Sequence, residues 1–319
     1  MKIVHHNDAD GYAAAYIAFI SENPCNEDVE FIEMNYGMKF PFDEICNGEK
    51  VVIVDFSLEI SDMIKLINVT TNIIWIDHHK SAIEKYKDFK ENIKGIRVDG
   101  ISGAGLTYLY YKGWKEEQIK ELFEVSEFNE DALNVLRKEL KDNAPEWLLL
   151  VDDWDIWKHE YMPTTEEFQI AVANILSFDL FEKLHNDENE DMDGDNYVPQ
   201  PFLHRLIRTG KSYIEYRKQW SEIFMKRYGY ESELTVNGRT YKAFVANLGN
   251  ANSKFFGNLI DKYDFVSTFC YNGELFNYSV YSNKEDVDCS EICRAYGGGG
   301  HKGASGFTCD RNVFIKVGN

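Results

Sequence analysis

The sequence predicts an α/β fold with two domains, an N-terminal domain built on a parallel sheet and a smaller C-terminal α/β domain. Three apolar, largely β-branched runs near the N-terminus are each followed by a helix-like stretch, which is typical of buried parallel strands with crossover helices. From Tyr230 the pattern changes to shorter strands joined by Asn237-Gly238 and Asn272-Gly273 turns. The expected boundaries are 1–185 for the first domain, 186–229 for an acidic loop and linker helix, and 230–319 for the second domain.

Helical periodicity fills the spaces between the strands. An alanine-rich helix is predicted to start at Gly11, whose missing side chain permits a close backbone approach. The segment 186–200 is acidic and polar and predicts a solvated loop. Helices are predicted at 11–21, 61–69, 81–89, twice within 115–141, and at 202–228, 253–262 and 290–296.

Acid and imidazole side chains follow each of the three N-terminal strands. In open α/β sheets, ligands gather just beyond the carboxyl ends of the strands. We therefore expect these side chains to converge at one edge of the sheet, although they are far apart in the sequence. They are His6, Asp8 and Asp10 after the first strand, Asp55 after the second, and Asp77, His78 and His79 after the third.

This combination of side chains predicts a site for divalent metal ions. Carboxylates packed so closely repel one another and raise one another's pKa unless a cation neutralises them. Oxygen and imidazole ligands without thiolate favour Mn, Mg, Co or Fe over a structural Zn site. The set exceeds the needs of one ion. Two ions roughly 3.5–4 Å apart that share a carboxylate lower the pKa of a bridging water and clamp a phosphoryl group.

The segments HNDADG, VDFS and IDHH occur in this order, and YGGGGHKGASGF lies near the C-terminus. They resemble the first three motifs of the DHH phosphoesterase superfamily and the GGGH signature of its associated substrate-binding domain. The resemblance spans residues 5 to 307. It implies an active site in a cleft between the two domains, with two divalent ions, Mn in the first place and Mg or Co as alternatives.

The resemblance also assigns metal ligands. One ion is expected on His6, Asp8 and Asp55, and the other on Asp10, Asp55, His78 and Asp153. His5 remains an alternative to His6. The family's fourth motif is an Asp that follows an apolar run, and residues 147–155 supply the candidates. Asp153 is chosen by alignment with the preceding apolar run, with Asp152 and Asp155 as alternatives. Asp77 is expected to orient His78, and His79 to contact the phosphate or donate a proton to it.

Substrate contacts are predicted at two glycine-rich turns. In the first turn, Ser102 and nearby backbone N–H groups are candidates for binding a phosphate, and an ordinary helix cap is the alternative. In the second, four glycines expose backbone donors, while His301 and Lys302 add charge and hydrogen bonds. Arg294 is either a phosphate fork or an ordinary surface arginine. The candidates are therefore Ser102, Arg294, Gly299, Gly300, His301 and Lys302.

Composition limits the partners. The net charge is −20, from 54 acids against 34 bases. Binding of long duplex nucleic acid is therefore not expected, because its favourable free energy comes from counterions released when Lys and Arg contact many phosphates. A short oligonucleotide or a dinucleotide held by metals remains allowed, and a homodimer stays open. No stretch reaches the length of a membrane span, and no cysteine pair has CxxC spacing, so a cytoplasmic, reducing location is expected. Cys289 and Cys293 are expected to be core residues.

Together, these features predict a Mn-dependent phosphodiesterase. The resemblance points to an oligoribonuclease of the 3′–5′ exonuclease type that hydrolyses nanoRNA and dinucleotides. A cyclic-dinucleotide phosphodiesterase is the alternative within the same chemistry. A nucleotide-binding regulatory module without turnover is the alternative of another class, although every metal carboxylate is retained. A polynucleotide exonuclease is disfavoured because it needs a basic channel.

Overall fold

The computed structural model contains two compact units, Met1–Ser212 and Tyr213–Asn319. It describes residues 1–22, 28–114, 130–189, 201–249 and 251–317. The first unit is built on a parallel sheet and the second on a separate mixed sheet, so the predicted fold class is confirmed. The predicted linker helix is one continuous helix, and the division between the units falls within it.

The first sheet positions the candidate site. Its strands are Lys2–His6 (β1), Glu30–Met34 (β2), Val51–Val54 (β3) and Ile73–Ile76 (β4). All neighbours pair in parallel, in the order β2-β1-β3-β4. Every residue of β3 and β4 is buried, which explains their continuous apolar sequence. The carboxyl ends of β1, β3 and β4 therefore lie side by side.

Helices cover this sheet. The first helix starts against the end of β1, where a Cβ added at Gly11 would lie 2.2 Å from the carbonyl oxygen of His6, so only glycine fits. Ala13, Ala14 and Ala18 of that helix are fully buried. The helices are Ala9–Glu22 (α1), Ile60–Val69 (α2), Lys80–Tyr86 (α3), Gly103–Tyr111 (α4), Glu130–Asn143 (α5), Glu146–Asp155 (α6), Thr164–Ala173 (α7), Phe178–Asn189 (α8) and Phe202–Tyr228 (α9).

Some sequence predictions fall on parts of the chain outside the described residues. These are the first of the two helices predicted within 115–141 and residues 190–200 of the predicted acidic loop, whose first four positions, 186–189, are instead the end of α8. Leu133, Leu136 and Leu140 of the second helix, α5, are buried in the core of the first unit. Among the described helices, none is both long and apolar enough to cross a membrane.

The second unit is a six-stranded sheet with short helices. Its strands are Gly229–Val236 (β5), Arg239–Asn247 (β6), Phe265–Tyr271 (β7), Phe276–Tyr281 (β8), Gly299–His301 (β9) and Ala304–Cys309 (β10), in the order β5-β6-β7-β8-β10-β9. The helix Cys289–Arg294 (α10) buries Cys289 and Cys293, as predicted. Asn237 and Gly238 both have positive φ, as the predicted hairpin turn requires. The helix predicted at 253–262 is instead a 3₁₀ segment, Ser253–Leu259, interrupted at Gly257.

Candidate metal centre

The predicted convergence at one sheet edge is present in the structure. His6 is the last residue of β1, Asp55 directly follows β3, and His78 lies two residues beyond β4. Asp10 lies in the first turn of α1 and Asp155 ends α6. Parallel pairing thus brings His6, Asp55 and His78 to one edge, and the end of α6 adds Asp155, about 150 positions from His6 in the sequence.

Asp55 lies at the centre of this cluster. It is 1% exposed, and its backbone is in the left-handed region, with φ 51°. Gly103 makes room for it, because a Cβ there would lie 2.5 Å from the Cβ of Asp55. Neither carboxylate oxygen of Asp55 has a hydrogen-bond partner among the described residues. A buried carboxylate without partners is costly, so these oxygens fit a bound cation.

Three overlapping three-residue groups at this sheet edge are able to hold a divalent ion, and one of them, Asp55 with His78 and His79, shares Asp55 and His78 with the other two. His6, Asp8 and Asp55 form the first of these two, and Asp10, His78 and Asp155 form the second, with ligand atoms within 4.8 Å of one another in each. The two groups are joined because Nε2 of His78 lies 3.2 Å from Oδ1 of Asp55. The same nitrogen lies 3.3 Å from Oδ2 of Asp155 and 3.8 Å from Oδ2 of Asp10. The donor set of oxygens and imidazoles fits a pair of ions that share Asp55.

Electrostatics of the protein alone point in the same direction. Burial, followed by the charges of Asp10 and Asp8, holds the pKa of Asp55 well above its usual range. Burial and the charges of the same two residues raise the pKa of Asp155 to about 9. Burial also raises the pKa of Asp10. These carboxylates repel one another, and divalent cations would remove the repulsion.

The choice of Asp153 as the fourth-motif ligand is wrong in this structure. Its carboxylate accepts hydrogen bonds from the backbone N–H groups of Glu160 and Tyr161 and from the hydroxyl of Thr165. It therefore ties the loop after α6 to the start of α7. Asp155, two residues further along, reaches the cluster. The apolar run before the motif forms a helix, so neighbouring acids face in different directions.

Asp152, the other alternative, lies beside the cluster but is also engaged. Its Oδ1 accepts a hydrogen bond from the backbone N–H of Ser102 at 2.8 Å. Burial raises the pKa of Asp152 to about 6. It therefore supports the turn before α4.

His6 is the imidazole of the first motif that faces the cluster. Its Nδ1 lies 2.6 Å from Oδ2 of Asp8. His5 is 1% exposed and packs edge-on against the rings of Tyr12 and Phe178. Alternation along β1 places the two imidazoles on opposite faces of the sheet, so His6, and not His5, faces the cluster.

Asp77 positions His79, whereas we expected it to orient His78. Its Oδ1 lies 2.7 Å from Nδ1 of His79 and also accepts the backbone N–H groups of His78 and His79. The hydroxyl of Ser57 donates to its other oxygen. The hydrogen bond with Asp77 raises the pKa of His79. The imidazole of His78 instead points to Asp55 and Asp155.

The glycine-rich turn before α4 binds an anion of the protein itself. Backbone N–H groups of Gly103 and Ala104 donate to the carboxylate of Asp10 at 2.6 and 2.9 Å. Ser102 is fully buried and caps α4 by accepting the N–H of Gly105. The expectation that Ser102 meets a phosphate is therefore wrong, and the helix-cap alternative holds. The positive end of α4 fixes Asp10 in place for the metal centre.

Aromatic side chains around the cluster were not predicted as site residues. Tyr36 follows β2 at the same sheet edge, with its ring 5.7 Å from that of His6 and 5.9 Å from that of His79. Trp154 lines a cavity of about 330 Å³ with Asp8, Asp10 and Asp155. Trp157 is 73% exposed and stacks on Trp154 at 6.0 Å. Ligands gather beyond the carboxyl ends of parallel strands, and the same reasoning applied to β2 would have identified Tyr36.

In the glycine-rich segment of the second unit, Gly297 to Lys302, some backbone groups already make hydrogen bonds within the fold. The N–H groups of Gly297 and Gly298 donate to the carbonyls of Arg294 and Cys293 and so cap α10. Gly299, Gly300 and His301 form the exposed edge strand β9. The backbone donors of the first two glycines are therefore not available to an anion, contrary to the sequence prediction. The side chains of Arg294, His301 and Lys302 are exposed.

Comparison with known proteins adds context. No protein-family model matches the chain. An uncharacterized protein of Acanthamoeba polyphaga mimivirus, R106, is 23% identical over 324 residues, which cover 95% of this chain and 66% of that protein. The chain therefore spans just under two thirds of that relative's length.

Similar solved structures include a pGpG-specific phosphodiesterase, PggH, from Vibrio cholerae, at 12% identity and TM-score 0.43, covering 97% of this chain and 92% of that one. Another is the exonuclease RecJ bound to manganese, at 14% identity and TM-score 0.47, covering 97% and 85%. The fold itself agrees with the resemblance to the DHH phosphoesterase superfamily, because a parallel-sheet unit carries the first three motifs and a second α/β unit carries GGGH.

Proposed function

We propose that this protein is a metal-dependent phosphodiesterase of the DHH type that hydrolyses very short oligonucleotides, such as nanoRNA and dinucleotides. The observation that carries the proposal is the carboxylate of Asp55, buried and unpartnered between two groups of metal-competent side chains. Two bound divalent ions, Mn in the first place and Mg or Co as alternatives, supply Lewis acidity to a water and to the phosphoryl oxygens.

The side chains of this protein divide into ligands and positioning groups. His6, Asp8 and Asp55 would hold one ion. Asp10, Asp55, His78 and Asp155 would hold the other. Gly103 and Ala104 fix Asp10, so the ligand set is held by backbone as well as by side chains. Such a rigid support keeps the reacting groups aligned.

His79 is the proposed proton donor or phosphate contact. Its Nδ1 is bound to Asp77, whereas its Nε2 makes no hydrogen bond with any residue that the structure describes. The Asp77 carboxylate favours the protonated imidazole. His79 would therefore carry a proton at Nε2 beside a ligand cluster that binds the phosphate, as a general acid requires.

Aromatic and basic groups are proposed to recognise the nucleotide. Trp157 and Trp154 would stack on a base next to the metal centre, because stacking on aromatic faces is how single strands are usually bound. In the second unit, His301, Lys302 and Arg294 are proposed to bind a phosphate through their exposed side chains.

The charge of the chain supports a preference for short substrates. A longer strand gains few compensating contacts from a chain with net charge −20. Turnover is therefore expected to fall as the substrate lengthens. Steady-state kinetics on RNA of two, five and twenty nucleotides tests this, and an equal or rising kcat/KM at twenty would indicate a processive exonuclease instead.

A turnover screen with Mn tests the reaction class. The substrates are short RNA, short DNA, linear and cyclic dinucleotides, and pyrophosphate. The proposal predicts the highest kcat/KM on linear dinucleotides and short RNA. A preference for cyclic dinucleotides would move the function to second-messenger hydrolysis. Absence of turnover on every substrate, with binding retained, would instead support a regulatory nucleotide-binding module.

A further inference from the structure

The second unit carries a basic groove between α9 and the 3₁₀ segment Ser253–Leu259. The groove has a volume of about 690 Å³, and all of its lining residues belong to the second unit. Its charged lining consists of five cations and one carboxylate: Arg217, Lys218, Lys226, Lys254 and Lys262, with Glu222. This local excess of positive charge is opposite to the net charge of −20 on the whole chain.

Several of these cations are available to a ligand. Lys218, Lys226 and Lys262 are exposed, and none of them makes an ion pair with a described residue. Glu222 lies four residues from both Lys218 and Lys226 on the same face of α9, but it forms no ion pair with either. The three lysines therefore form an unneutralised rim.

The floor of the groove is apolar and aromatic. Met225 and Phe256 are almost fully buried, while Phe244 and Phe255 are half-buried. Trp220 packs edge-on against Phe255, with ring centroids 5.7 Å apart. A basic rim above an aromatic floor suits a ligand that combines phosphate with a planar base.

We propose that this groove is a second, metal-independent binding site for a short single-stranded oligonucleotide. Its volume lies within the usual range of about 300–1,000 Å³ for small-molecule pockets. The phosphates contact Lys218, Lys226 and Lys262, and a base contacts the floor at Phe255. A duplex does not fit this description because its bases are stacked inside the helix and cannot reach an aromatic floor.

The groove is separable from the metal centre by experiment. Without metal, the cluster of Asp8, Asp10, Asp55 and Asp155 lacks the cations that would bind a phosphate, so chelator suppresses binding at that cluster. Chelator also prevents metal-dependent hydrolysis of the probe. Binding measured in EDTA therefore reports on the groove whether or not the proposed phosphodiesterase activity is correct.

The experiment is equilibrium dialysis of pentaadenylate against the full chain in EDTA at low salt. The double variant Lys218→Glu/Lys226→Glu should bind at least about tenfold more weakly, because two phosphate contacts become repulsive. The matched control Lys87→Glu/Lys90→Glu changes the net charge equally at exposed lysines of the first unit and should stay within about twofold of the parent. Glu222→Gln should bind severalfold more tightly.

Four results would overturn the proposal. One is parental affinity in the groove double variant with an unchanged thermal unfolding midpoint. Another is an equal loss in the control variant, which would indicate general repulsion only. A third is loss of binding in His301→Ala while Lys218→Glu/Lys226→Glu still binds, which would show that the oligonucleotide binds at the glycine-rich segment instead. Equal competition by tripolyphosphate and by pentaadenylate would show that no base is recognised, and Phe255→Ala would then have no effect.

Discussion

Nε2 of His78 lies 3.2 Å from Oδ1 of Asp55, yet neither atom makes a hydrogen bond with any described residue. Buried polar atoms in folded proteins nearly always have partners. The backbone around both residues is fixed, because Asp55 directly follows β3 and His78 is held by its N–H bond to Asp77. The two side chains are therefore aimed at a common point that a divalent ion fits.

Exchange of Asp155 for Asn should weaken Mn binding. The loss should exceed the roughly 10–100-fold cost of removing an outer-shell partner, because Asp155 is a proposed ligand. Asp153→Asn is the matched control. It should keep Mn affinity but lower the thermal unfolding midpoint, since about 1–3 kcal/mol is lost for each buried partner left unsatisfied. Calorimetry and thermal unfolding distinguish the two, and the reverse pattern would restore Asp153 as the ligand.

The free energy of unfolding of the metal-free protein should fall as the pH rises from about 5 to 9. The pKa of Asp155 is about 9 in the folded chain, above its ordinary value of 3.8, so the folded chain holds a proton that the unfolded chain releases. Stability present at low pH is therefore lost as the pH rises through the folded pKa.

Denaturant unfolding in EDTA across this pH range measures the effect. Asp155→Asn should flatten the dependence, because the amide does not titrate. Below about pH 5 the slope should reverse, since hydrogen bonds from His79 and Ser57 lower the pKa of Asp77 despite its burial. Stability that rises between about pH 5 and 9 in the parent protein would contradict the account of the cluster.

Asp77→Asn should lower the pKa of His79. The hydrogen bond and the charge of Asp77 raise the pKa of His79, so removal of the carboxylate should reverse that shift. NMR titration of the metal-free protein measures this. An unchanged pKa would mean that Asp77 only caps the backbone after β4. Ser57→Ala, which removes one bond to Asp77 but no charge, should have a smaller effect.

Much of the fold follows from short-range patterns. The buried strands β3 and β4 read as unbroken apolar runs, and the long helix α9 has its predicted limits of Phe202 and Tyr228. The convergence of His6, Asp55 and His78 was also predicted, because each lies at or just beyond the carboxyl end of a parallel strand. These predictions depend only on burial and on the geometry of parallel sheets.

The predictions for individual site residues were wrong where the role of a residue depends on the direction it faces on a helix or on a partner elsewhere in the sequence. Asp153 and Asp155 are two residues apart on α6, so about 200° of rotation separates them, and the apolar run does not say which one faces the sheet edge. The turn at Ser102 has the glycine-rich composition of a phosphate-binding turn. The backbone N–H groups of Gly103 and Ala104, however, already donate hydrogen bonds to Asp10. The basic groove was missed because the net charge of −20 is a sum over the whole chain and does not show where lysines cluster locally.

Trp157→Ala should raise KM for dinucleotides by about 5-fold or more, since loss of base stacking costs roughly 1–3 kcal/mol per base. The variant should leave hydrolysis of bis-p-nitrophenyl phosphate, which carries no base, nearly unchanged. Comparison of the two substrates by steady-state kinetics provides the measurement. An equal effect on both would show that Trp157 acts on the metal centre through Trp154 and Asp155.

Titration of the metal-free protein with Mn, followed by heat and by hydrolysis of the dinucleotide pApA, tests directly whether Asp55 is shared by two catalytic ions. Two ions should bind per chain, turnover should be absent before metal is added, and Ca should restore it less well than Mn. In Asp55→Asn, which alters the shared ligand, both binding events should weaken and turnover should fall by orders of magnitude with the fold intact. Hydrolysis that survives chelation, or an Asp55→Asn variant within a few-fold of the parent, would contradict the account.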